Sequence, residues 1–371
     1  MANAVKTKRE PFVRIAKRPA IVWWKAWLIR VIAVLAALVV CGLITFFLTG
    51  ENPFSVYATM VDGNFGTTRR IWDLLQRIAM LLCVSLAVTP AFKMRFWNIG
   101  AEGQVLMGGL ATAACMIFLG DKVPSVVLFA AMAVASVLAG AVWAVIPAVF
   151  RAKWKTNETL FTLMMNYIAM QIVSYFVYNW SVPKGSGQVG VINANTNAGW
   201  MPAIGGVNYL LNILIVAALT VGLYIYLKYS KHGYEIEVVG ESENTARYIG
   251  INVKKVIIRT MTLSGALCGV AGLLLVSGVD HTITSELAAG RGFTAIMVSW
   301  LAKFNPLYMA LTSFIIIFLQ KGAGEISTKF GLNMSFSDIL TGIIIFFIIG
   351  CEFFINYQLI LREKQKGVKA E

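Results

Sequence analysis

Charge is scarce in this 371-residue sequence: charged residues make up 13% of it, against 58% apolar residues. Soluble domains carry about 25% charged residues. A water-soluble globule is therefore excluded, and the mean hydropathy of +0.72 agrees. Acids are the scarcer sign, 18 against 32 Lys and Arg. The basic residues stand in short clusters between apolar runs and at the two ends, with no continuous basic face. The net charge of +14 then reflects membrane topology, and nucleic acid is not an expected partner. Histidine is limited to His232 and His281, neither with Cys or Asp/Glu at ligand spacing, and no loop of the form G-x-x-x-x-G-K-[ST] is present. No metal and no cofactor is expected on this chain, and an ATP-driven process would draw ATP from a partner subunit. Cys41, Cys83, Cys115, Cys268 and Cys351 lie in or beside apolar runs without a C-x-x-C, which marks them as packing residues.

What the sequence has in abundance is long apolar runs. A helix needs about 20 apolar residues to cross a bilayer, fewer if it spans half. Ten runs qualify: 28–48, 74–91, 105–119, 124–149, 160–178, 209–227, 256–279, 293–301, 306–319 and 339–357, the eighth being the weakest. The expected fold is all-α and integral to the membrane, with a transmembrane domain over 28–357. A basic segment precedes it (1–27) and a basic tail follows (358–371). The first run is too long for a secretory signal and lacks a small-residue cleavage site, so it stays as an anchor. With both termini in the cytoplasm and alternating crossings, the inside segments collect roughly three quarters of the basic residues, as the positive-inside rule requires. Arg77, near the outer end of the second run, is expected to snorkel or pair locally.

Ten crossings divide into two halves of five, joined by a long extracellular loop at 179–208 that contains "VPKGSGQVGVINANTNAG". Rich in Gly and Asn and nearly uncharged, this loop is expected to be ordered against something. Each half carries a glycine-bearing polar interruption between its second and third crossings, "NIGAEGQ" (98–104) and "ELAAGRGF" (286–293). Each then opens its fourth crossing at a proline, Pro124 or Pro306. Five is odd, so the halves run in opposite senses, the outline of an inverted repeat. A broken, acid-bearing segment is tolerated in a bilayer only where it is buried in protein or lines a cavity. Asn98, Gly100, Glu102 and Gln104 are therefore candidates for a polar substrate path; the plain alternative is a cytoplasmic turn with packing glycines. The inside loop at 228–255 holds a second constellation. Ser242 or Asn244 can cap a short helix through "ENTARYI", Gly250 can end it, and Glu243 and Arg247 stand at i,i+4. Such a helix suits docking to a partner protein, and a solvated connector is the alternative.

Four segments, "FWNIGAEGQVLMGG", "NETLFTLMMNYIA", "GYEIEVVGESENTARYIGINV" and "GFTAIMVSWLAKFNPL", occur in that order. Together they resemble the permease subunits of bacterial ABC importers of the sugar and nucleoside branch. The nearest likeness is to nucleoside permeases that work with a basic-membrane-protein type lipoprotein. The resemblance implies about ten spans in the bacterial cytoplasmic membrane, a second permease, an ATPase subunit that binds ATP, and an extracellular lipoprotein that delivers a small molecule. It places 98–104 near the translocation path and assigns ATPase coupling to Glu243, Asn244, Ala246, Arg247 and Gly250. Thr245 and Trp300 depart from the usual pattern, which has smaller residues at both places, and Trp300 bears on the substrate. Two other classes compete: a proton- or sodium-coupled carrier using Glu102, and a channel.

Overall fold

The computed structural model describes residues 13–18, 21–50 and 52–361. Much of the basic segment 1–27, and 362–371 of the basic tail, lie outside them. Among the described residues there are thirteen α-helices, ten along the expected apolar runs and three, at 53–65, 231–241 and 243–248, outside them. In chain order they are α1 (Trp23–Thr49), α2 (Pro53–Phe65), α3 (Thr68–Lys93), α4 (Ala101–Leu119), α5 (Ser125–Trp154), α6 (Glu158–Trp180), α7 (Leu210–Tyr229), α8 (Lys231–Glu241), α9 (Glu243–Tyr248), α10 (Val253–Leu275), α11 (Arg291–Leu301), α12 (Pro306–Lys329) and α13 (Met334–Asn356). A π-helical turn, Val276–Asp280, extends α10. The all-α expectation needs one addition. Val13–Lys17 (β1) and Tyr357–Leu361 (β2) pair antiparallel, with Val13 opposite Leu361 and Lys17 opposite Tyr357.

Among the described residues nine helices are long and apolar enough to cross a membrane. The expected eighth crossing is the exception. Helix α11 has 11 residues, which at 1.5 Å per residue reaches about 16 Å, half of a bilayer core. Residues 281–290 ahead of it are irregular and run beside α4. There Leu287 lies against Gly109 and the backbone at 290–292 meets Glu102. An irregular segment and a half-length helix together occupy the place of one span.

The chain divides into two compact units, Asn64–Phe318 and the paired ends Met1–Gly63 with Leu319–Glu371. In the second of these, α1 packs on α13, where Arg30 pairs with Glu352 at 2.6 Å. In the first, α3 and α10 are the central helices, both largely buried. Helix α10 packs against α4 and α5 through small residues, so that a Cβ at Gly108 would stand 2.6 Å from the Gly269 Cα. Without water to drive apolar association, close backbone approach and dispersion hold such helices together.

Candidate functional site

Glu102 opens α4 and is only 4% exposed. A carboxylate so placed needs donors, because an unpaired buried charge is prohibitively costly. They come from 188 and 190 residues further along the chain. The Gly290 N–H donates to Oε1 at 2.7 Å and the Gly292 N–H to Oε2 at 2.8 Å. These are amides at the start of α11, whose own N-cap, Gly290 with φ 72°, has no side chain to offer. The first four N–H groups of a helix lack internal partners and carry the positive end of its dipole. Glu102 thus caps the half-length helix from another part of the chain. The cap needs glycine at 292, where a Cβ would stand 2.6 Å from the Glu102 N and 2.7 Å from Oε2. The two interruptions are therefore one structure.

Around this pair the rest of 98–104 is closed by amide bonds. The Asn98 and Gln104 side chains face each other reciprocally, Gln104 Nε2 donating at 3.1 Å and Asn98 Nδ2 at 3.3 Å, and Nδ2 also donates to Ser264 Oγ at 3.2 Å. Gly100 N donates to Asn98 Oδ1 at 3.1 Å. From α6, Asn166 accepts from the Gly103 N–H at 2.9 Å and donates to the Ile99 carbonyl at 2.9 Å, while Thr162 Oγ1 accepts from the Ile99 N–H at 3.2 Å. Asn98, Gly100, Glu102 and Gln104 are brought together, and all are buried in the chain's own packing. The segment is closed to water, and its glycines pack tightly, a Cβ at Gly103 standing 3.0 Å from Asn166 Oδ1. Thr162, Asn166 and Ser264 were not singled out by sequence reasoning. The signal was present for two of them, since Thr162 and Asn166 stand four apart on an apolar helix, where a polar pair is costly unless it is used.

The loop at 228–255 folds as the helix pair α8 and α9. Ser242, not Asn244, caps α9, its Oγ accepting from the Thr245 N–H at 3.2 Å, and Gly250 leaves it at φ 87°. Glu243 holds Arg247 at 3.0 Å and reaches Arg151 of α5 at 3.7 Å, which also pairs with Glu158 at 3.3 Å. Ala246, expected on the docking surface, is 0% exposed and faces its own chain, whereas Tyr248 is 92% exposed. Helix α8 is tied down by Lys93 to Glu237 at 3.1 Å and by Arg259 to Glu235 at 2.7 Å. The Arg259 hydrogen bond holds the Glu235 carboxyl below its usual range. Gly240 lies against the Lys93 carbonyl, so α8 touches the last turn of α3, a few residues before Asn98.

At the other end of the bundle the loop at 181–209 is ordered, as its composition suggested. Ile192 N–H donates to the His281 carbonyl at 2.8 Å, Met201 N–H to the Ser277 carbonyl at 2.9 Å, and the Trp200 ring stacks on His281 at 3.9 Å.

The chain is thus a helical membrane bundle with a capped half-length helix inside it and a tethered helix pair formed by the loop at 228–255. The family described as "branched-chain amino acid transport system / permease component" matches residues 70–349, and the chain belongs to it. It is a permease component of an ABC-type transporter. Among similar proteins, the glucose ABC transporter permease protein of Haloferax volcanii is 28% identical, over 93% of this chain and 92% of its own length. The guanosine ABC transporter permease protein of Bacillus subtilis is 27% identical over 86% and 92%. The nucleoside ABC transporter permease protein of Lactococcus lactis is 28% identical over 89% and 91%.

Proposed function

We propose that this chain forms the translocation path for a nucleoside in a bacterial ATP-driven importer, a simple sugar being the second candidate. Two of the three relatives named above carry nucleoside or guanosine in their names and one carries glucose, which supports that order. An ATPase subunit docks on α9, a second permease completes the path, and an extracellular lipoprotein delivers substrate to the 181–209 end. Both termini are cytoplasmic in this reading. The observation that carries it is the outward face of α9. Tyr248, Asn244 and Arg247 are exposed, while the helix beneath them is tied by ion pairs to α5 and, through α8, to α3. Docking that differs between ATP-bound and ATP-free partners then biases the helices that hold the broken segment. Within that segment Asn98, Gly100, Glu102 and Gln104 act as positioning residues in the wall of the path.

The ion-coupled alternative would make Glu102 a proton carrier. Both of its oxygens already accept backbone N–H bonds, and hydrogen bonds donated to a carboxylate favour the ionised form over the protonated one.

The test is uptake of labelled guanosine and glucose into membrane vesicles holding the whole transporter, with and without ATP. Tyr248→Ala is expected to leave the subunit's membrane level unchanged and to lower ATP-dependent uptake at least fivefold; unchanged uptake removes the docking role. Orientation is checked separately. A cysteine at Lys184 is expected to react with an impermeant thiol reagent outside intact cells and one at Lys231 is not; the reverse pattern inverts the topology.

A further inference from the structure

Where the last turns of α3 and α11 meet α8, four aromatic side chains form a continuous row. Phe92 stands edge-on to Trp97 at 5.9 Å, Trp97 leans on Trp300 at 5.6 Å, and Trp300 stands edge-on to Phe304 at 5.6 Å. The row lines a single cleft together with Arg95 and with Glu237 and Glu241 of α8. The indoles are not packed away: Trp97 is 45% exposed and Trp300 49%. Both helices end in left-handed turns, with φ 59° at Arg95, 50° at Lys303 and 59° at Phe304, closed by the Phe96 N–H donating to the Ala91 carbonyl and the Phe304 N–H to the Ser299 carbonyl, each at 2.9 Å. Two separate chain turns, one after α3 and one after α11, bring these rings to one opening.

We propose that this aromatic cleft binds a planar heteroaromatic ring, the base of a transported nucleoside, at the coupling-loop end of the path. The inference rests on the permease reading and narrows its substrate. A heteroaromatic base offers a π face to the indoles and a polar edge to Arg95, Glu237 and Glu241; a simple sugar offers no such face. Trp300 owes its place to the buried clamp, because Glu102 fixes one end of α11 and Trp300 stands in the last turn at the other. Helix α8 forms a wall of the cleft, so any shift of the coupling segment changes its width.

The test uses the intact transporter in membrane vesicles with ATP, at matched membrane levels of the chain. Uptake of guanosine, cytidine and glucose is measured for the unaltered protein and for Trp97→Ala, Trp300→Ala and Trp300→Phe. The unaltered transporter is expected to carry the nucleosides. Each alanine variant is expected to raise the nucleoside KM about tenfold, the loss of one stacking partner, while Trp300→Phe keeps a ring and stays within about threefold. An unchanged KM with lowered thermal stability makes the indoles an interfacial anchor and overturns the site. So does a phenylalanine variant as defective as the alanine one. Uptake of glucose without nucleosides overturns the site and leaves the permease reading standing. ATP-dependent uptake of none of the three overturns both.

Discussion

Two glutamates show how differently this molecule uses a carboxylate. Glu102 is buried, and both oxygens are taken by backbone amides from a distant stretch of chain. Glu243 is partly exposed and shared between two guanidinium groups, one of them only a helical turn away. In a site closed to water an unmade bond costs the full desolvation of its partner. At the surface, water and salt replace a lost ion pair at little cost. The broken span is therefore held in one arrangement, whereas the Glu243 pairs at the surface are held loosely.

The comparison breaks most visibly at Glu102→Ala, which leaves the buried Gly292 N–H and the partly buried Gly290 N–H without acceptors. A loss of about 2–6 kcal/mol follows, at about 1–3 kcal/mol for each group. It is read as a lowered midpoint of thermal unfolding in detergent together with loss of uptake, and an unaltered midpoint would separate the two interruptions again. Gly292→Ala attacks the same clamp from the other side by driving a methyl group into Glu102, and it should approach that effect while the carboxylate itself is intact. Glu102→Gln retains one acceptor but turns an amide NH₂ toward the other N–H, so about 1–3 kcal/mol is expected, with reduced but measurable uptake. At the surface, Glu243→Gln should cost less than about 1 kcal/mol, and less still in high salt. A loss as large as that of Glu102→Ala would erase the contrast. The smallest effect belongs to pH. Because Arg259 depresses the folded-state value of Glu235 below the reference 4.5, the pair's contribution is present above that value and fades as pH falls through the folded one. Unfolding midpoints should drop slightly more between pH 6 and pH 3.5 in the unaltered chain than in Glu235→Gln.

Local features were legible in the sequence, because their partners lie a few residues away. Ser242, Gly250 and the Glu243–Arg247 pair occupy the roles their spacing implied. The apolar runs became helices near their expected bounds. The eighth run misled because 11 helical residues preceded by irregular chain look like a short span when only hydropathy is counted. Ala246 misled because small size within a candidate docking helix says nothing about which way the residue faces. Thr162 and Asn166 were visible as a polar pair on an apolar helix, but their targets, the Ile99 and Gly103 backbone groups, were not.

The sequence by itself determined that the chain is a helical membrane protein, where it is interrupted, and which polar segment forms a short capped helix. Apolar run length, glycine placement and i,i+4 spacing act through nearest neighbours along one chain. Only the tertiary structure decided that "NIGAEGQ" and "ELAAGRGF" are one clamp, that Trp97 and Trp300 share a cleft with α8, and that Ala246 turns inward. The first two depend on segments hundreds of residues apart meeting in the fold, and at the clamp, where a carboxylate is buried, its partners must come from whatever segment the packing brings there.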